Sequence, residues 1–470
     1  MTPIAARALH PLTAFALAFA AAAAFSLTSR YPGYVHHDTA EIAMWSTLGW
    51  PPGLPKHPPF LPWLFRTYSY AVPLDWVSIG LLTAANITFG AWAVWRITVL
   101  TVGERRGAVA LMLYGLAPAG TFFALKLNHN AILVSLWPLT ILAFLTCLRA
   151  RTVRTSVPSG LAFGALAAAA MLAKYYSGVL LACCFAASLA SAERGNFYRM
   201  PGGYIAVAAF AVLMAPHAWW MWDNRGATLG YAFHESEREA HPLLHFLLVA
   251  PAYLLPPLAA FWALRRWLPL LIEGKDGARD FLPELLVLAL GPFLLTAVFI
   301  AGFHLRGATS WSLPDFCVAP VLLAAALPEM SNEALARMKR WAVAGLAVVA
   351  LAGPIVLIAA FALGDANAIE PRAEAARAAG RIWLTAVHRP VALVAGDPQS
   401  ANAASLVLAS KPPAFTNFSL AFAPWVTPQS LTSSGLLVIC RPIYGSCRPQ
   451  TVEAAKGRTG FVCEIGRAHV

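Results

Sequence analysis

The stretch 158–191, PSGLAFGALAAAAMLAKYYSGVLLACCFAASLAS, contains one charged residue, Lys174. As a single helix at about 1.5 Å per residue it would measure roughly 50 Å, against roughly 30 Å for the hydrocarbon core of a bilayer. Two helices broken at Lys174 fit instead. The same pattern repeats outward from this stretch. Apolar segments cover roughly 10–28, 74–98, 107–125, 131–149, 158–173, 175–191, 203–221, 244–264, 282–302, 312–328 and 341–363. The chain therefore reads as a polytopic α-helical membrane protein of about eleven crossings, within a range of about eleven to thirteen. Composition agrees. Of 470 residues, 59% are hydrophobic and 12% charged, where a soluble domain carries about 25% charged residues. Mean hydropathy is +0.62.

Positive charge sets the orientation. Arg7 precedes the first segment. Alternate connections hold Arg105 and Arg106; Arg149, Arg151 and Arg154; Arg194 and Arg199; Arg265, Arg266, Lys275 and Arg279; and Arg337, Lys339 and Arg340. All fall on one side of an eleven-crossing topology, which is then cytoplasmic. This clustering accounts for the net charge of +12 without nucleic acid as a partner. The first loop (29–73) and everything after about residue 363 then lie outside. The N-terminal segment resembles a signal peptide in its Arg and Ala-rich run, but an uncleaved first crossing better anchors the loop that follows.

From about 364 to 470 the composition changes, and a small α/β domain outside the membrane is expected. EPRAEAARAAGRIWLTAV (370–387) reads as a helix, and VALVAG (391–396) and GLLVIC (435–440) read as strands between turn-rich segments. The residues from about 463 onward, ending EIGRAHV, match the translated start of a common sequencing adapter and are set aside. Four of the seven cysteines, Cys147, Cys183, Cys184 and Cys317, fall in apolar segments as packing residues. Cys440, Cys447 and Cys463 lie in the outer tail, where a disulfide is permitted; Cys440 with Cys447 is favoured, although three cysteines do not fix the pairing. No spacing marks metal ligands. No resident cofactor is implied, although acids on the outer face are compatible with a divalent metal.

Ionisable and amide side chains near a membrane are costly, so their placement carries information. The outer side collects Asp38, Glu41, Lys56 and His57 in the first loop, then Lys126, Asn128 and His129, then Lys174. WDNRGATLGYAFHESEREAH (222–241), with Trp222 and Asn224, and HLRGATSW (304–311), with Arg306, complete the set. Two acids among several cations suit chemistry on an anionic lipid head group. Lys and Arg offset phosphate charge, and a carboxylate can take a proton from an acceptor hydroxyl. Nucleotide sugars are absent outside the cytoplasm, so a sugar donor there must be lipid-linked.

The order of these elements resembles the GT-C glycosyltransferases of family 39, which include protein O-mannosyltransferases and the lipid A aminoarabinose transferase. The resemblance rests on Asp38-Thr39-Ala40, Trp45-Ser46, Lys56-His57-Pro58-Pro59 and Pro62-Trp63-Leu64. It continues through LAKYYSGVLL (172–181), PHAWWMWDN (216–224) and Trp311–Pro314, about 330 residues in all. It departs at Thr39, where the family carries a second acid; Glu41 stands one helical turn from Asp38 and is the substitute. The resemblance implies an inverting transferase that moves a sugar from a polyprenyl-phosphate carrier to lipid A, a polysaccharide or a protein. It implies a bacterial inner membrane with the active face periplasmic. Asp38, with Glu41, is then the catalytic acid set. Lys56, His57, Lys174 and Arg306 bind the donor phosphate, and Asn128, His129, Trp222 and Asn224 line the substrate cavity.

Plainer readings stand beside these. Asp38 suits a helix cap, Lys174 a snorkelling lysine at a helix end, and His217 a packed histidine. The HESEREAH cluster (234–241) suits a solvated face, and Trp45, Trp50 and Trp63 suit interfacial anchors. A transporter or lipid flippase is the rival function; it requires polar groups at mid-membrane, whereas here they gather at one face. A second rival is a non-catalytic envelope-assembly protein, in which Asp38 would be dispensable.

Overall fold

A computed structural model describes residues 11–30, 35–118, 123–234, 242–267, 281–303, 309–327, 331–363 and 372–440. Arg7, Lys275, Arg279, Arg306, Cys447, Cys463 and most of the 234–241 cluster lie outside the described residues. In chain order the helices begin with α1 (Pro11–Thr28), α2 (His37–Thr47), α3 (Phe60–Ser69), α4 (Trp76–Val102) and α5 (Glu104–Leu116). Next come α6 (Leu133–Leu148), α7 (Val153–Ala173), α8 (Ser177–Ala190), α9 (Arg194–Arg199), α10 (Gly202–Asp223) and α11 (Ala227–His234). Then follow α12 (Pro242–Val249), α13 (Leu255–Trp267), α14 (Leu282–Phe303), α15 (Ala319–Ala325) and α16 (Asn332–Ala362). The last are α17 (Arg372–Val387), α18 (Pro398–Val407) and α19 (Pro428–Ser433), with strands β1 (Val394–Gly396), β2 (Ala414–Thr416) and β3 (Leu437–Ile439).

Among the described residues, six helical runs are long and apolar enough to cross a membrane: α4, α7, α10, Pro242–Arg266, α14 and α16. Shorter apolar helices cover Thr13–Thr28, Leu133–Leu148 and Ser177–Ala190. The break at Lys174 is present. Lys174 is extended (φ −163°, ψ 131°), and a new helix begins at Ser177. Two expected crossings differ. The segment 107–125 is helical in α5 only to Leu116, because Pro118 forces the preceding Ala117 out of the helical region (ψ 124°). The segment 312–328 forms turns followed by the seven-residue α15. Pro314 and Pro320 remove helix donors there, and Asp315 is buried among them.

The chain divides into two compact units: Met1–Ser26 with Leu82–Ala352, and Leu27–Leu81 with Gly353–Val470. In the first unit, α7 and α10 pack backbone to backbone. A Cβ on Gly160 would sit 2.2 Å from the Gly202 carbonyl oxygen, and one on Gly164 2.3 Å from that of Ala206. Small residues one turn apart are what permit this approach, the usual device where lipid supplies no hydrophobic drive between helices. The Gly202 N–H also donates to Ser156 Oγ at 2.8 Å. Outward faces stay apolar: α10 exposes Val207, Val212 and Trp219, and α14 exposes Leu290, Leu294 and Val298. Such faces are unfavourable in water and suited to acyl chains.

The second unit holds a parallel three-stranded sheet in the order β2-β1-β3, with Val394 opposite both Ala414 and Leu437. Alternation puts Leu393, Ala395, Phe415 and Val438 into one core. Gly396 (φ 140°) is required, since a Cβ there would lie 1.9 Å from the Ile439 carbonyl oxygen. The expected tail helix is α17, and the two expected strands contain β1 and β3. Cys440 is disulfide-bonded. In this same unit α2 packs against α3 and against α18. The Lys411 ammonium donates to the Leu74 carbonyl at 3.5 Å and to that of Leu406.

Candidate functional site

Within the second unit, the first-loop polar residues converge on α2. The helix begins where His36 turns extended (ψ 142°) and its Nδ1 accepts the Asp38 N–H at 3.3 Å. His36 is therefore the cap, and Asp38 sits in the first turn, where the helix dipole favours a negative charge. Beyond the first turn, Ile42, Ala43, Met44, Trp45 and Ser46 are all buried, so α2 is enclosed around most of its circumference. Trp45, 2% exposed, is a core residue rather than an interfacial anchor. Thr39 is also buried. An acid at position 39 would lose its water, whereas position 41 projects toward a cation.

That cation is Lys56. Its Nζ lies 2.7 Å from Glu41 Oε1, with the two side chains only 18% and 12% exposed. Burial raises the Glu41 pKa above the usual carboxylate value, and the Lys56 charge opposes that rise. Lys56 also lies 5.7 Å from the centre of the Phe422 ring, within cation–π range. His57, the next residue, meets the edge of Trp45 at 6.2 Å. Pro58 and Pro59 are buried and stiffen the turn into α3. Asp38 remains 40% exposed, with His37 Nε2 at 3.1 Å and His36 Nδ1 at 3.7 Å. The arrangement sets a half-exposed carboxylate one turn from a buried Glu–Lys pair.

Within the first unit, the helix break at 174–176 sends three consecutive side chains to three neighbours. Lys174 Nζ donates to Asn130 Oδ1 and sits 4.9 Å from the centre of the Trp311 ring. The Tyr175 hydroxyl pairs with His217 Nε2 at 2.6 Å, and His217 is buried and stacked on Trp220. The Tyr176 hydroxyl donates to Asp315, 2.7 and 2.9 Å from its two oxygens, and contacts Thr296 Oγ1 at 2.7 Å. Trp137 stacks on Tyr176 at 5.5 Å. Asn128 Oδ1 accepts the N–H groups of Asn130 and Ala131, shaping the turn before α6. His129 is buried, with Nδ1 2.9 Å from the Ala173 carbonyl oxygen, so the turn is tied to the end of α7. Asn224 donates to the Trp220 carbonyl as a helix-end contact, and Trp222 is 84% exposed. A small apolar cleft in this unit is lined by residues including Tyr114, Tyr253, Pro257, Phe316 and Pro320.

Sequence reading did not single out Asn130, Tyr176, Asp315 or Phe422. A lone acid inside an apolar segment was the available signal for Asp315. Phe422 carried none.

Residues 56–220 match the family model described as dolichyl-phosphate-mannose-protein mannosyltransferase. The matched segment contains Lys56, His57, Asn128, His129 and Lys174; Asp38 precedes it. No curated protein matches the chain. Among solved structures, ArnT from Cupriavidus metallidurans bound to undecaprenyl phosphate superposes with a TM-score of 0.63 at 14% identity, covering 95% of this chain and 94% of that one. The apo state of the same protein gives 0.62 at 15% identity, covering 94% and 95%. The likeness is one of fold, and it runs through nearly the whole of both chains.

Proposed function

We propose that the chain is a GT-C glycosyltransferase that moves a sugar from a polyprenyl-phosphate carrier to an acceptor in the bacterial periplasm. The observation that carries this reading is the fold shared along 95% of the chain with a transferase solved with undecaprenyl phosphate bound. The match of residues 56–220 to a mannosyltransferase family supports the same reaction class. In this reading the membrane part makes about eleven crossings. The first loop and the C-terminal α/β segment face the periplasm of an inner membrane, and the acceptor is lipid A, a polysaccharide or a protein.

The chemistry follows from the side chains. The acceptor oxygen attacks the anomeric carbon, the bond from that carbon to the phosphate oxygen breaks, and polyprenyl phosphate leaves with inversion. Asp38, half-exposed and ionisable, takes the acceptor proton. Lys56 and His57 hold the donor phosphate, with Glu41 fixing the Lys56 ammonium while it awaits that charge. Lys174 and Arg306 add positive charge against the leaving phosphate. Asn128, His129, Trp222 and Asn224 are assigned to the substrate cavity.

The test is a mass-spectrometric comparison of envelope glycans in a deletion strain complemented with wild type or with Asp38→Asn. Wild type should restore a sugar that Asp38→Asn does not. Full restoration by Asp38→Asn overturns the assignment of the base.

A further inference from the structure

An ionised Glu41–Lys56 pair carries no net charge. Lys56 Nζ lies 2.7 Å from Glu41 Oε1, and both side chains are largely buried. A phosphate that reaches this ammonium meets a carboxylate already bound to it, with little water between them to screen the repulsion. Asp38, one turn earlier on α2, adds further negative charge around Glu41. Either the phosphate is held off, or the carboxylate swings away, or the carboxylate gives up its charge.

The surroundings favour loss of charge. Thr39, Ala40, Ile42 and Ala43 on either side of Glu41 are buried, and buried Pro58 and Pro59 stiffen the turn that carries Lys56. The Phe422 ring, 5.7 Å from the ammonium, is a neighbour that favours the positive charge and does not need the carboxylate. Burial already raises the Glu41 pKa, and Lys56 is the chief influence opposing that rise, with His37 a weaker one. A phosphate that draws off the ammonium weakens this opposition and adds a negative charge of its own, so both changes raise the pKa further. The helices packed on α2 offer little in compensation. In α3 the Arg66 guanidinium donates to the Ser46 carbonyl at 3.1 Å, and α18 carries no charged residue.

We propose that Glu41 is a positioning residue that stands in for the donor phosphate, holding the Lys56 ammonium until the donor arrives and then yielding it by taking up one proton. The inference rests on the reading of Lys56 as a ligand of that phosphate. A proton from solvent bonds to a Glu41 carboxylate oxygen as the phosphate arrives, and it returns to solvent when polyprenyl phosphate leaves. Asp38 keeps its separate task of taking the acceptor proton. Donor affinity is then constant below the Glu41 pKa of the ligand-free protein, where the proton is already in place. It falls as pH rises from that value to the higher one of the donor complex, and is constant again above it.

The experiment titrates full-length protein in detergent with a polyprenyl methyl phosphate, a diester of fixed single charge, by calorimetry in buffers of differing ionisation enthalpy. Over about pH 5–8 wild type should take up a proton on binding, and its affinity should weaken with pH by up to about tenfold per unit. Glu41→Gln should lose that proton and that slope, and should bind more tightly than wild type at the upper end of the range. His57, whose protonation would give a slope of the same sign, is present in both proteins, so the difference between them reports Glu41. Equal proton uptake in the two overturns the proposal and leaves the transferase reading standing. Failure of wild type to bind the diester overturns both. Should Glu41→Gln fail to fold, infrared difference spectra of Asp38→Asn protein decide, since Glu41 is then the one acid of α2. A protonated-carboxyl band should appear on addition of the diester, and its absence refutes the proposal.

Discussion

The two polar clusters solve the same problem over different sequence distances. Around α2, Asp38 pairs with the adjacent His36 and His37 and Glu41 with Lys56 fifteen positions on, although Lys56 also meets the distant Phe422 ring. At the helix break, Lys174, Tyr175 and Tyr176 reach Asn130, His217 and Asp315, which lie 42–139 positions away. The first cluster leaves its acid half-exposed and able to meet a substrate. The second buries Tyr176 against a carboxylate and locks the break between two helices. A group held locally can be reactive at little cost to the fold, whereas a group tying distant helices together is part of the fold.

That contrast can be broken most sharply at Asp38. Asp38→Asn should lower glycosyl transfer by about 10²–10⁴-fold, the usual worth of a positioned base, while the melting temperature stays within a degree or two of wild type. A large fall in melting temperature with transfer retained would reverse the roles of the two clusters. Next in size is Tyr176→Phe, which removes the hydroxyl donor from buried Asp315. Loss of such a partner costs about 1–3 kcal/mol. It should appear as a lower melting temperature, with transfer per folded molecule changed much less.

The smallest effect concerns Glu41. Its pKa is raised in the folded state, chiefly by burial, so the folded protein binds this proton more tightly than the unfolded chain does. The associated stability is complete below the unfolded carboxylate value and is lost as pH rises through the raised folded value. Melting temperature should therefore fall over that window in wild type, and Glu41→Gln should flatten the slope. An identical slope in the variant would assign the pH dependence elsewhere.

Much of the architecture was legible because lipid enforces a simple rule, a run of apolar residues broken by charge. The break at Lys174 and the helix and two of the strands after residue 364 could be read in that way. The segment 312–328 misled because its mean apolarity conceals Pro314, Asp315 and Pro320, and backbone donors matter more there than hydropathy. β2 was missed because three residues, Ala414–Thr416, following Pro412 and Pro413 give no alternation to detect. In the candidate site, Asp38, Glu41, Lys56 and His57 were visible as polar residues in an apolar chain. The pairing of Glu41 with Lys56 was not, and neither was Phe422, which stands more than 360 positions from the lysine it contacts.

The packing of α2 on α18 sets a timetable for biosynthesis. Helix α2 is made early, with Ile42, Met44 and Trp45 ready for burial, but the segment it packs against is translated about 350 residues later. At about 5–20 residues per second the ribosome needs about 20–70 s to supply it. Throughout that interval the part of α2 that meets α18 waits for its partner while later helices are still being inserted. A nascent chain that stalls or terminates before Pro398 leaves that part of α2 without the helix that covers it in the finished fold.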